Sequence, residues 1–186
     1  RGRTDKHLFP AAFDPADRIV RFLRKQTGVV RAEIGGSIRR RKEVIGDIDI
    51  LVSSTASDAV MERFTTLPRV ATIIGKGKTK SSVVFKSGIA SDLRVVSDKE
   101  FPFAANYFTG SKEHNTELRA RAKKMGYKLN EYGLFQGEKL IPCKDEAAIY
   151  EKLGLDYIPP ELREAQGEIE AAEKHELPEL ITEKDI

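Results

Sequence analysis

The sequence predicts an α/β (α+β) protein in two parts: a mixed β-sheet with flanking helices over about residues 14–98, then a smaller α+β unit over about 99–163. Two observations carry this reading. Helix-period and strand-period runs alternate through the first hundred residues; after Phe101 two helical runs lead into short strand-like pieces from Lys128. Apart from the fold, charge is unevenly placed: residues 1–130 hold 26 Lys and Arg against 14 Asp and Glu, a net +12, whereas residues 131–186 hold 6 against 15, a net −9. The basic part is where a polyanion would bind, although such surface also occurs in proteins that never meet nucleic acid.

With 186 residues, 33% charged and 40% apolar, the chain buries a sizeable core. No window approaches the roughly 20 apolar residues of a membrane span, and Arg1-Gly2-Arg3-Thr4 is too polar for a signal peptide. The first residue is not methionine, as expected of an excised fragment. Cys143 is the only cysteine, which excludes an internal disulfide and a thiolate metal cluster and suits a reducing cytosol.

Residues 1–13 read as a leading segment. Asp14-Pro15 opens a helix with Ile19, Val20, Phe22 and Leu23 as its buried stripe, and Gly28 ends it. Strands follow at about 29–36 and 47–53. Ser57-Asp58 starts a second helix that packs Val60, Met61 and Phe64 on the sheet before Pro68 stops it. Arg69–Ile74, Ser81–Phe85 and Ile89–Val96 read as strands. Between the first two, Gly77-Lys78-Thr79 is no P-loop, because Thr72 stands where that motif needs glycine and strands rather than a helix follow. It reads as a lysine-rich hairpin, which from the residues alone is as much a solvated turn as a binding site. Phe101–Lys112 holds a helix that breaks at Thr109-Gly110-Ser111, with Ser111 capping the next helix, whose buried face is Leu118, Ala122 and Met125. His114 reads as a surface residue, since no second His or Cys stands at ligand spacing. A helix at Ala147–Leu153 and the segment Tyr157–Arg163 close the second unit, and residues 164–186 read as an acidic helix and linker.

Chemistry gathers in residues 35–52. Asp47 and Asp49 stand two apart in a β-branched run, so on a strand both carboxylates project from one face while Ile48 and Ile50 point away. Like charges that close repel unless a cation or shared proton intervenes, and an oxygen-seeking divalent metal such as Mg²⁺ meets that need. Upstream, Gly36-Ser37 follows a strand and lets the backbone approach an anion, with Arg39–Lys42 adding positive charge. These are the parts that metal-assisted phosphoryl transfer from a nucleotide requires. Asp92 interrupts a further strand and shares a face with Arg94; alone it suits a solvated edge as well as a ligand.

Gly36-Ser37-x-Arg-Arg followed by Gly46-Asp47-x-Asp49 resembles the nucleotidyltransferase signature as used by family X DNA polymerases, the polymerase β-like enzymes. Three later segments resemble the same family in order: Gly77-x-Thr79-Lys80, Tyr107-Phe108-Thr109-Gly110-Ser111, and Leu129-Asn130-Glu131-Tyr132-Gly133-Leu134-Phe135, the last typical of bacterial and archaeal members. The resemblance covers about residues 35–163. It implies a nucleotidyltransferase palm, about 14–98, and a thumb, about 99–163. It implies that Asp47, Asp49 and Asp92 are catalytic and bind two Mg²⁺, with Mn²⁺ as a substitute. It assigns Gly36, Ser37, Arg40, Tyr107, Phe108, Gly110 and Asn115 to the nucleotide, and Lys78, Lys80, Arg94, Arg119 and Tyr132 to DNA. The implied function is DNA-directed DNA polymerisation in repair or gap filling, on primer–template or gapped duplex with deoxynucleoside triphosphates. A cytoplasmic, nucleoid-associated monomer is expected. No counterpart of the longer members' N-terminal lyase region, nor of the phosphoesterase domain that follows in prokaryotic relatives, falls within these residues. Two alternatives stay open: a nucleotidyltransferase acting on RNA or a small molecule, and a DNA-binding fragment with little activity.

Overall fold

Strand Asp47–Ser54 (β4) is built to be covered on both faces, and its neighbours follow from that. Ile48, Ile50 and Val52 point into one core, and Leu51, on the side of Asp47 and Asp49, is buried in another. In the computed structural model, which describes residues 6–181 and 183–185, β4 is flanked antiparallel by Val29–Ile34 (β2) and parallel by Ala90–Val96 (β7). Lys80–Phe85 (β6) and Val70–Lys76 (β5) extend the sheet antiparallel, giving the order β2-β4-β7-β6-β5. The predicted mixed sheet with flanking helices is therefore present.

Helices Phe9–Arg24 (α1) and Ser57–Thr65 (α3) cover one face, supplying Ala16, Val20, Leu23, Val60, Met61 and Phe64 to a core shared with Ile48, Ile50, Val83 and Leu93. Helix α1 starts earlier than the sequence reading placed it. Pro10, not Pro15, sits in its first turn, and Asp14-Pro15 is interior. The extra turn is anchored by the pairing of His7–Leu8 (β1) with Val44–Ile45 (β3), by the Phe9 N–H donating to the Glu43 carbonyl at 3.0 Å, and by Phe9 stacking on Phe13. Those contacts offset the backbone bond that Pro15 cannot donate. Ala12 is fully buried, so this stretch belongs to the core.

On the opposite face lies Phe101–Thr109 (α4), whose Phe101, Ala104 and Ala105 pack on Leu51. Gly110 turns the chain at φ 71°, the Gly110–Ser111 peptide is cis, and Ser111 caps Lys112–Lys124 (α5) by accepting the His114 N–H, as its sequence position predicted. Strands Lys128–Leu129 (β8), Leu134–Gln136 (β9) and Lys139–Leu140 (β10) form a small antiparallel sheet, followed by Glu146–Lys152 (α6), a 3-10 turn at Pro160–Leu162 and Glu168–Glu173 (α7).

Four expectations need correction here. Phe22, read as part of the buried stripe of the first helix, is exposed. Met125 is 42% exposed, because the helix ends at Lys124 and the chain swings out at Gly126. His114 has no exposed surface; Glu168 and Tyr150 satisfy its ring. Ile169 and Ala172 of α7 join Phe103, Leu118, Leu134 and Ile149 in the second core, so the acidic segment read as a helix and linker has its helix, and that helix is partly core.

Candidate active site

The register of β4 against β7 sets Asp49 opposite Asp92, and Asp47 lies one period along the same face. Three carboxylates are thus brought to one end of two parallel strands. Burial first, then Asp92 and Asp47, push the Asp49 carboxyl up to about 6. Asp47 is raised by burial and by Asp92, partly offset by His7, which β1 holds opposite Ile45. Asp47 Oδ1 is buried and has no hydrogen-bond partner. Asp92 is turned aside: Oδ1 accepts from Ser82 Oγ at 2.5 Å, and Oδ2 lies 3.8 Å from Lys80 Nζ. Among the described residues, no group of three or more acidic, His or Cys side chains is arranged to hold a metal ion. The donor set nevertheless fits a hard divalent cation: an orphaned carboxylate oxygen beside mutually repelling carboxylates is relieved by an ion that takes oxygen ligands.

The Gly36-Ser37 segment faces this cluster as a short helix, Gly36–Arg39 (α2), rather than a loop. Gly35 donates its N–H to the Asp49 carbonyl at 2.8 Å. Gly36 has φ 61°, and a Cβ there would collide with Asp49 Oδ2, so only glycine lets the chain pass the carboxylate this closely. Ser37 is half-buried in the same turn.

Arg40 is not free beside a phosphate site. Its Nε donates to Glu164 Oε1 at 2.7 Å and its Nη1 to the Thr109 carbonyl at 2.6 Å, next to Gly110. Arg39, read from sequence only as added positive charge, makes a bidentate pair with Glu146 at 2.9 and 2.5 Å and donates to Thr109 Oγ1 at 2.7 Å. Fully buried Arg163 closes this network on Glu146 Oε1 at 2.7 Å. Burial alone would raise Glu146, but Arg163 and Arg39 outweigh it and hold the carboxyl below its usual range. The signature helix is thereby tied to the second unit.

The aromatic pair sits where α4 meets the sheet. Phe108 lies under the Arg94 guanidinium, 4.2 Å from ring centroid to Cζ, and Tyr107 packs edge-on against Phe108 at 5.0 Å. Tyr107, Phe108, Lys78, Lys80, Arg94 and Tyr132 line one cleft of about 890 Å³. Asn115 and Arg119 lie apart from it, with Asn106 and the other side of Tyr107, around a cavity of about 10 Å³. Asn115 Nδ2 donates to the Tyr107 carbonyl at 2.8 Å. Ser82, His7, Glu146, Arg163 and Glu164 are the residues sequence reasoning missed.

Residues 104–164 match the family described as DNA polymerase beta thumb. Over 161 residues, 83% of this chain, the sequence is 35% identical to a Bacillus subtilis protein named DNA polymerase/3′-5′ exonuclease PolX. In sequence the chain is similar to these X-type DNA polymerases. It spans 28% of the length of the Bacillus relative. It is also 28% identical over 163 residues to an African swine fever virus protein named Repair DNA polymerase X, covering 82% of this chain and 89% of that one. In fold, this chain is similar to Leishmania infantum polymerase beta in a ternary P/T complex, with a TM-score of 0.75, 22% identity, and 86% and 77% of the two chains covered.

Proposed function

We propose that this chain is the polymerising core of a DNA-directed DNA polymerase, adding deoxynucleotides to a primer 3′-hydroxyl during repair or gap filling. The observation that carries the reading is the gathering of Asp47, Asp49 and Asp92 on one sheet face, with Gly36 pressed against Asp49. Asp47 and Asp49, with Asp92 turned inward, would hold divalent cations. Bound Mg²⁺, or Mn²⁺ in its place, supplies charge neutralisation at the triphosphate and lowers the pKa of the attacking hydroxyl.

The chain's own residues do the rest. Gly36 and Ser37 offer backbone N–H and hydroxyl donors to the phosphates, and Arg40 supplies a guanidinium once it leaves Glu164. Tyr107, Phe108, Gly110 and Asn115 seat the sugar and base. Asp92 takes the proton of the 3′-hydroxyl. Lys78, Lys80, Arg94, Arg119 and Tyr132 hold the duplex, mostly through phosphates that fix register without reading sequence. The protein acts as a monomer at the nucleoid. Primer extension on open and single-nucleotide-gapped duplexes, with Mg²⁺ and each nucleotide type, tests the reading. Templated deoxynucleotide addition supports it; transfer only to RNA or small hydroxyl compounds, or none, contradicts it.

A further inference from the structure

A chain of buried polar groups runs from the acidic C-terminal segment to the helix that carries the aromatic pair. Glu168 is 5% exposed; its Oε1 accepts the Ala165 N–H at 3.0 Å, its Oε2 the Gln166 N–H at 2.7 Å, and His114 Nδ1 lies 2.7 Å from Oε1. His114 Nε2 is 2.9 Å from the Tyr150 hydroxyl, which is 2.9 Å from the amide of Asn106. His114 and Tyr150 have no exposed surface and Asn106 has 3%. Asn106 immediately precedes Tyr107 and borders the small cavity with Asn115 and Arg119, where Asn115 Oδ1 is buried without a partner.

Tyr150 donates its one hydroxyl hydrogen to Asn106 Oδ1, and His114 Nε2 faces the phenol oxygen. Glu168, which already accepts two backbone N–H groups, faces the other ring nitrogen and fixes the plane of the imidazole. A buried network with any member unsatisfied is costly, so the groups behind Asn106 set the orientation of its amide.

We propose that Glu168, His114 and Tyr150 are positioning residues for nucleotide selection, orienting Asn106 and so fixing the turn of α4 that presents Tyr107, to whose carbonyl Asn115 is bonded. The proposal rests on the polymerase reading and gives residues beyond 163 a part in it. The role is exercised through Asn106, so its loss changes nucleotide affinity and not DNA affinity.

The test is steady-state incorporation by Tyr150→Phe, Asn106→Ala and the double variant, with Ile149→Val as a core control that touches no polar member. Each single polar variant raises the deoxynucleotide KM about 5-fold with kcat and DNA affinity within about 2-fold. The double variant is no worse than the worse single one, the non-additivity expected of residues in one network. Ile149→Val lowers Tm with KM unchanged. If Tyr150→Phe does not fold, Glu168→Gln replaces it in the same cycle. A wild-type KM in the polar variants, additive effects, or an equal rise in Ile149→Val overturns the positioning role while leaving the polymerase reading intact. A wild-type protein that extends no primer removes that reading and this role with it.

Discussion

Nε of Arg40 lies 2.7 Å from Oε1 of Glu164, a pair only 15% and 25% exposed. The arginine assigned to the triphosphate thus rests on a carboxylate of the second unit. A phosphate must compete for that guanidinium, and both ligands are anionic acceptors of the same fork. Glu164→Gln weakens the competitor and is expected to lower the deoxynucleotide KM about 3-fold, whereas Arg40→Ala raises it about 10-fold or more, with DNA affinity unchanged in both. Nucleotide titrations check this. A higher KM in Glu164→Gln means that the carboxylate aims Arg40 instead of occupying it.

Asp49 makes metal-free stability fall with pH. Burial and the neighbouring carboxylates raise its carboxyl to about 6 in the fold from an ordinary 3.8 in the unfolded chain, so the folded state binds the proton more tightly. The penalty is absent below about pH 4, grows as pH rises to about 6 and stays above it, up to about 3 kcal/mol. Asp49→Asn removes the charge. Urea unfolding in chelator is expected to show the variant equal to wild type at pH 4 and about 2–3 kcal/mol more stable at pH 8. Added divalent cation should shrink the difference at pH 8. A difference that does not vary with pH contradicts the account.

Glu146 compensates two arginines, one of them, Arg163, wholly buried. Glu146→Ala leaves both without their carboxylate and is expected to cost about 3–5 kcal/mol, the range for breaking a buried pair. Chemical denaturation measures it. A loss below about 1 kcal/mol means that water replaces the carboxylate.

Lys80, read from sequence as a hairpin lysine on the DNA path, stands beside a carboxylate. It pairs across from Arg94, and its ammonium lies 3.8 Å from Asp92. Lys80→Ala should therefore reduce the salt slope of DNA binding by about one unit and also lower kcat several-fold. An unchanged slope takes Lys80 off the DNA path.

What could be read from sequence was local. Asp47 and Asp49 share a face because strand period is two, and Ser111 caps α5 because its hydroxyl precedes a helical run; neither needs a distant partner. The pairing of Asp49 with Asp92 depends on strand order, and Ser82 reaches Asp92 only once β6 is aligned on β7. His114 was misjudged for the same reason, since its carboxylate partner lies 54 residues on. Arg39 and Arg40 were legible as positive charge but not as partners of Glu146 and Glu164, which lie in the segment whose net charge is opposite. Long-range ion pairs carry no periodic signal. Pro15 illustrates a different limit: two prolines each fit a helix start, and tertiary contacts at Phe9 chose the earlier one.

The central claim is that Asp49 and Asp92, opposed on β4 and β7, carry out metal-dependent nucleotidyl transfer. Single-turnover incorporation of one deoxynucleotide into a gapped duplex by wild type, Asp49→Ala and Asp92→Ala, each with Mg²⁺ and with chelator, tests it directly. The account predicts Mg²⁺-dependent incorporation by wild type and a loss on the order of 10³-fold or more in each variant, about 4 kcal/mol of transition-state stabilisation, with DNA binding retained. Incorporation by Asp49→Ala at the wild-type rate, or by wild type in chelator, would contradict it.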